Sequence, residues 1–231
     1  MDKPLGRKSY GSIGHLPYSR LGPTDSCVDY GQANICCSKT RDRYDRVIVT
    51  EKLDGSNCAV AKVGGKIVAL GRAGYLAETS PFEQHRMFAD WVAERADRFD
   101  RVLGEGERVC GEWLAQAHGT IYDLRGREPF MVFDLMVDDR RVLFDEFMAR
   151  LGGVLSMPQL IHDGGAIGVS EAMAIHENKH SGCDETEGVV YRVERRGRVE
   201  FLAKFVRQDK VDGKYLPELT GCDPIWNWRP S

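Results

Sequence analysis

The stretch RVIVTEKLDGSNCAVAKVGGKIVALG, residues 46–71, does most to limit the folds open to this chain. It holds three short apolar runs, 46–51, 58–63 and 66–71, separated by Asp54-Gly55 and by Gly64-Gly65. Such runs, bounded by turn pairs, read as β-strands, and Gly64-Gly65 reads as a hairpin turn. Lys52, an ammonium that a strand does not bury easily, follows directly on the first run. In isolation such a lysine is a solvated surface charge.

Further along, SPFEQHRMFADWVAERADRF (80–99) is the clearest helix. Ser80 suits its cap, Pro81 its first turn, and Phe82, Met87, Phe88 and Trp91 its apolar stripe. ERVCGEWLA and PFMVFDLMV read as strands, and FDEFMARLGG as a helix stopped by glycines. EGVVYRVERRGRVEFLAKFV gives a second hairpin around Arg195–Arg198. Residues 1–45, rich in Gly, Ser, Asp and Arg, show little periodicity and are expected as an irregular extension packed on the core, with at most a short strand. Hairpins with intervening helices, and no internal repeat, predict an α+β fold of antiparallel sheets flanked by helices.

The 231 residues suffice for a substantial core. A net charge of −3 excludes a generically basic nucleic-acid coat, so any such binding must use a local patch. Seven cysteines, an odd number, and no basic-then-apolar leader favour free thiols and a cytoplasmic setting. No run approaches the ~18 apolar residues of a membrane span. His176, His180 and Cys183, with Cys27 or Cys36-Cys37, could compose a tetrahedral zinc set, but the spacing is not that of a finger, and loop histidines are the expectation.

Lys52 gains a chemical reading from its company. No GxxxxGK[ST] phosphate loop is present. A lysine at a strand edge can itself be a nucleophile if burial or nearby cations depress its pKa. Attack on the α-phosphate of a nucleoside triphosphate would form a phosphoramidate. That chemistry calls for cations on the phosphates, carboxylates for metal and an aromatic face for the base. Arg72 and Lys204, Glu112 and Glu187, and Phe133 supply them; Arg72 and Glu112 could alternatively form a structural ion pair, and Phe130 competes with Phe133 because strand alternation turns the two to opposite faces.

In that order the segments KLDG, GRAG, GEW, FMVFDL, EGVVYR and AKFV resemble the successive motifs of the covalent nucleotidyltransferases, the superfamily of polynucleotide ligases and capping enzymes, over roughly residues 46–210. The resemblance implies the ATP-grasp-like catalytic core of the ligases, with Lys52 as the adenylated nucleophile. It implies Glu51, Leu53, Asn57, Arg72, Glu112, Phe133 and Lys204 around the nucleotide, and Glu112 and Glu187 at a divalent metal, Mg2+ or Mn2+. Glu187 and Lys204 join Lys52 as catalytic groups. Asp54, Asp134, Arg192 and Lys210 are further candidates, Arg192 being equally readable as a solvated hairpin charge and Asp54-Gly55 as a plain turn. Ligases of DNA and capping enzymes carry KxDGxR, whereas Asn57 makes EKLDGSN similar to the element of phage-type and RNA-editing RNA ligases. The resemblance therefore implies an ATP-dependent RNA ligase joining 5′-phosphate and 3′-hydroxyl RNA ends through lysyl-AMP and an adenylated RNA end.

Two departures stand out. The last motif of RNA ligases commonly reads KxK, and here Leu202 replaces the first lysine, with Lys210 a candidate substitute. Only 27 residues follow Lys204, too few for an oligonucleotide-binding barrel. The expected organisation is an extension (1–45), a nucleotidyltransferase domain (46–215) and a tail (216–231), with RNA grip from the core's own surface or a partner protein. The alternatives are a GTP-dependent capping enzyme or DNA nick ligase, against which Asn57 and the short C-terminal part speak, and a non-catalytic RNA-end-binding module, which would be expected to lose Lys52, Glu112 or Glu187.

Overall fold

The turn between 46–51 and 58–63 turns out to be a crossing between two sheets. The structure is a computed structural model describing residues 3–178 and 182–230. It opens with β1 (Gly14–His15) and α1 (Tyr30–Cys37), then β2 (Asp45–Lys52), β3 (Ser56–Val63) and β4 (Lys66–Gly71). Next come α2 (Glu83–Ala93), α3 (Ala96–Asp100), β5 (Glu107–Trp113), β6 (Phe130–Val137), β7 (Arg140–Arg141) and α4 (Phe144–Leu151). β8 (Leu160–Gly164), α5 (Val169–Glu177), β9 (Gly188–Arg195), β10 (Arg198–Val206) and α6 (Pro217–Thr220) follow.

The strands form two five-stranded sheets, ordered β1-β10-β9-β2-β8 and β4-β3-β5-β6-β7. All these pairs are antiparallel except β1 on β10. The fold is thus α+β. β2 and β3, though consecutive, lie in different sheets, so the chain leaves one sheet after Lys52 and enters the other at Ser56. Gly55 is required at this crossing: a Cβ there would stand 2.4 Å from the Trp113 carbonyl oxygen.

One core packs the second sheet against α2, α3 and α4, through Phe88, Trp91, Phe99, Trp113, Phe130 and Phe147. Another packs the first sheet against α1 and α5, through Val47, Val49, Ala33, Ile35, Ala172 and Tyr191. Ile48, between Val47 and Val49, belongs to the other core, as strand alternation requires.

Three local expectations are corrected. The 80–99 helix divides into α2 and α3, because Arg95 leaves the helical φ/ψ region. Ser80 is not its cap: the N-cap is Phe82, which is exposed, and Ser80 Oγ instead accepts from the Phe82 N–H at 3.3 Å and bonds His85 Nδ1. Residues 1–45 contain a regular helix, α1, closed by a capping box in which Asp29 and Gln32 each accept the other's backbone N–H.

Candidate active site

Where the two sheets face each other, side chains from both line one cleft. β2 contributes Ile48, Thr50 and Lys52 at alternate positions; β9 contributes Val190 and Arg192, and β10 Leu202 and Lys204. From the other side come Asn57, Arg72, Glu112, Phe133 and Asp134, with Leu53 between them. The segment Tyr10–Ile13 closes one wall.

Lys52 is the centre of a charged cluster. Its Nζ donates to Glu187 Oε2 at 2.7 Å, and 21% of the side chain is exposed against 8% for Glu187. Burial pulls the Lys52 pKa down, but the carboxylates of Glu187, Glu112 and Asp54 outweigh it, and the net displacement is upward. The surroundings expected to depress this lysine are therefore acidic, and the resting side chain is an ammonium. Glu112 lies across the cluster, accepting from the Gly55 N–H at 3.2 Å. Burial, reinforced by Glu187 and Asp54, pushes its carboxyl up to about 8 against the pull of Lys52. It makes no ion pair with Arg72, whose guanidinium, exposed at the rim, donates to Gly11 O and Ser12 Oγ, both at 3.3 Å.

The aromatic wall depends on a β-bulge. Cys110 pairs with Asp134 but Gly111 with Val132, leaving Phe133 as the extra residue. Phe133 and Asp134 consequently both face the cleft, although they are neighbours in the chain. Phe130 is buried in the core, its ring 4.9 Å from that of Phe88 and closely packed on Gly111, where a Cβ would meet the ring at 2.7 Å. Phe133 is only partly buried and packs edge-on against Tyr10, 5.1 Å between centroids. Tyr10 in turn donates its hydroxyl to Asp134 Oδ2 at 2.5 Å.

Arg192 is not a solvated hairpin charge. At 6% exposure it bridges the sheets, pairing with Asp134 of β6 and Glu194 of β9 and donating to the Val142 carbonyl. Asp134, its side chain fully buried, also accepts from Arg141. This network holds the two walls of the cleft in register.

Glu51 and Lys210 stand elsewhere, and Asp54 lies at the margin of the Lys52 cluster. Glu51 lies on the opposite face of β2 from Lys52 and accepts the Gln159 N–H at 2.8 Å. Asp54 accepts from the Gly119 N–H and, at 2.6 Å, from Lys210 Nζ, behind Lys52. Lys210 also donates to Thr120 and lines a separate polar cavity with Arg207 and Lys214, whereas Leu202 lines the cleft. Lys204 does face the cleft. Burial and the neighbouring Lys52 lower its pKa, and Asp25 lies 3.6 Å away. Asp25 also pairs with buried His15 at 3.1 Å. Tyr10, His15 and Asp25 went unnoticed in the sequence, because residues 1–45 offer no periodicity to point to them.

Of the zinc candidates, His176 is buried in α5 rather than on a loop, Cys36 and Cys37 lie in α1, and His180 falls outside the described residues. Among the described residues no group of three or more His, Cys, Asp or Glu could hold a metal by itself. Glu112 and Glu187 beside Lys52 suit instead an ion that shares its shell with substrate phosphates and water, as Mg2+ commonly does. Asn57 Oδ1, buried in the cleft wall without a hydrogen-bond partner among the described residues, is an acceptor that a bound ligand could satisfy.

Comparison with curated proteins gives no sequence match. Among solved structures, an archaeal ATP-dependent RNA ligase (form 2) is similar at 19% identity and TM-score 0.51, covering 86% of this chain and 48% of its own. A putative ATP-dependent DNA ligase from Aquifex aeolicus is similar at 18% identity and TM-score 0.53, covering 86% and 49%. A Naegleria gruberi RNA ligase mutant with AMP and Mn reaches 17% identity and TM-score 0.50, covering 84% and 59%. These likenesses establish the ligase-type fold, and the chain spans about half the length of the first two. The RNA ligase family model matches residues 45–206, from the start of β2 to the end of β10 and thus every strand lining the cleft, and the chain belongs to the RNA ligase family.

Proposed function

We propose that this chain is an ATP-dependent RNA ligase that works through a covalent lysyl-AMP intermediate. The observation that carries the reading is Lys52 Nζ, held 2.7 Å from Glu187 in a cleft that also presents Arg72, Glu112, Phe133 and Lys204. In the first step Glu187 takes a proton from the Lys52 ammonium. The free amine attacks the α-phosphorus of ATP, a P–N bond forms, and the P–O bond to the β-phosphate breaks with release of pyrophosphate. An RNA 5′-phosphate oxygen then attacks that phosphorus and displaces the Lys52 amine. Finally an RNA 3′-hydroxyl attacks the 5′-phosphorus, forms the phosphodiester and releases AMP.

Lys204, half-buried on the cleft wall with its pKa lowered by burial and by the neighbouring Lys52, meets the α-phosphate. Phe133 offers its face to adenine, positioned by Tyr10. Glu112 and Glu187 would hold Mg2+ or Mn2+ together with the triphosphate; the ion would neutralise phosphate charge and offset the repulsion among the carboxylates.

The test is incubation with α-labelled ATP or GTP, or adenylate-labelled NAD, and a divalent metal. Acid-labile label from ATP alone is expected on the wild type. Lys52→Ala and Lys52→Arg should carry none, since a guanidinium stays protonated and cannot attack. Label retained by either variant would place the nucleophile elsewhere; label from GTP would favour capping-type chemistry.

A further inference from the structure

With a net charge of −3, the chain must concentrate any grip on RNA in a local patch. One end of the first sheet has the composition of such a patch. Arg41, Arg43, Arg195, Arg196 and Arg198 gather where the strand entrance at Asp45 meets the β9–β10 turn, Asp45 being paired in register with Arg195. Most of these charges are satisfied internally. Arg41 and Arg195 pair with Asp45, Arg195 also with Asp42, and Arg198 with Glu200.

Arg43 and Arg196 differ. Among the described residues neither forms an ion pair, and both guanidiniums lie over the exposed Tyr44 ring, 5.0 and 4.8 Å from its centroid. Arg43 also donates to the Tyr44 hydroxyl at 2.9 Å. Asp42, next to Arg43 in sequence and within electrostatic reach of Arg196, already accepts from Arg195 and the Tyr44 N–H.

The backbone adds an independent observation. Arg196 has φ +49° and Gly197 φ +77°, between the paired Arg195 and Arg198. Two positive φ values in a two-residue hairpin favour Asn-Gly or Gly-Gly. An arginine is disfavoured at the first of them, and its strained backbone brings a cation over Tyr44.

We propose that Arg43, Tyr44 and Arg196 form a stacking platform for single-stranded RNA. Bases stack on the outward guanidinium planes that Tyr44 supports, and phosphate oxygens meet these two cations, which form no ion pair among the described residues. The inference rests on the RNA substrate of the proposed function. Tyr44 and Lys52 flank opposite ends of β2, ~25 Å apart at ~3.3 Å per residue. At ~3.4 Å per nucleotide of a stacked strand, RNA reaches the platform ~7 nucleotides from the reacting end.

The experiment measures binding of 5′-phosphorylated RNAs of roughly 12 and 4 nucleotides to wild type, Arg196→Asn, Arg43→Gln and Tyr44→Ala chains, over a range of salt. Arg196→Asn is the informative change, because asparagine suits the turn and removes only the cation. It should weaken 12-mer binding ~3–10-fold and flatten the log K against log salt slope by ~0.7, leaving the 4-mer unchanged. Its Tm should be equal or higher. Unchanged 12-mer affinity in Arg196→Asn and Arg43→Gln would overturn the proposal, as would a lowered Tm in Arg196→Asn, which would make the guanidinium structural. An equal loss of affinity for a polyglutamate peptide would assign the patch to acidic polypeptides instead. Labelling by ATP is followed in parallel. No label with an intact platform effect rejects the ligase reading alone; label without a platform effect rejects the platform alone.

Discussion

Lys52 Nζ stands 2.7 Å from Glu187 Oε2, and in the proposed mechanism this pair sets the pH at which the lysine can act. The carboxylates around it hold Lys52 above its ordinary value, so the amine must be released from its own ion pair before it attacks. Single-turnover AMP capture should therefore accelerate with rising pH. Glu187→Gln removes the main stabiliser of the ammonium, and should move that rise to lower pH even as the maximal rate falls. For stability the sign is that of a raised base: the pair's contribution is complete below the unfolded lysine's pKa and is lost as pH climbs through the higher folded value. Identical pH midpoints for wild type and variant would show that Glu187 does not control the proton.

Glu112 carries the opposite liability. Its carboxyl is pushed up to about 8, chiefly by burial, so the folded chain binds a proton that the unfolded chain has already released. Stability should fall as pH rises from the ordinary carboxylate range to about 8. Glu112→Gln removes that dependence and should stabilise the ligand-free protein at alkaline pH by on the order of 1–3 kcal/mol. Activity should drop in the same variant, a stability gain obtained by dismantling a functional group. Thermal melts at pH 5 and pH 9 decide it: parallel curves for the two proteins would mean Glu112 is ordinarily ionised.

Phe130 and Phe133 should separate folding from binding. Phe130 fills the core against Phe88 and Gly111, and Phe130→Ala should cost roughly 3–5 kcal/mol of stability. Phe133, half-buried at the bulge, should cost less on truncation but weaken ATP use by ~1–3 kcal/mol, with Phe133→Tyr or Trp largely preserving it. Denaturation midpoints and KM for ATP in the adenylation step measure the two. A Phe133→Ala enzyme with unaltered KM would remove adenine from this wall.

Asp134 and Arg192 join the sheets through a buried ion pair. Removing one partner leaves the other charge buried, a loss that reaches ~3–5 kcal/mol; Tyr10 and Arg141 still serve Asp134, so Arg192→Met should fall nearer 2–3 kcal/mol. Arg192→Lys should recover only part, because an ammonium cannot span Asp134, Glu194 and the Val142 carbonyl together. Urea denaturation is the measurement. Wild-type stability in Arg192→Met would mean the walls are held by packing alone.

Strands 46–71 and the second hairpin were legible because alternation and glycine turns are local signals. The capping box Asp29–Gln32 was also present in the sequence, but an eight-residue helix with few apolar positions does not announce itself. What could not be read was anything created by two distant segments. No local pattern shows that β2 and β3 belong to different sheets, that Asp25 approaches Lys204 from the extension, or that Lys210 binds Asp54. The bulge at Phe133 is likewise invisible to strict alternation, although the identity of the cleft-facing aromatic survives it. Motif order singled out Lys52, Glu112 and Glu187, whose side chains the fold brings together, a convergence that spacing alone does not show.

The last prediction separates the chemical steps. In the proposed mechanism Lys204 contacts the α-phosphate oxygens at lysine attack and again at AMP transfer, and Glu187 both accepts the Lys52 proton and shares the metal. Each therefore stabilises charge in steps beyond the first, where single contacts in other enzymes run to ~3–4 kcal/mol. Lys204→Ala and Glu187→Ala should accordingly depress both AMP capture and the sealing of a pre-adenylated RNA, by roughly 100-fold or more in each assay. Lys52→Ala should lose AMP capture entirely yet keep part of the sealing activity, since the pre-adenylated end no longer needs the amine. Sealing by Lys204→Ala and Glu187→Ala at the wild-type rate would confine both residues to the first step. If Lys52→Ala alone failed to seal, the lysine would also act at the final step, as a cation beside the 3′-hydroxyl's target.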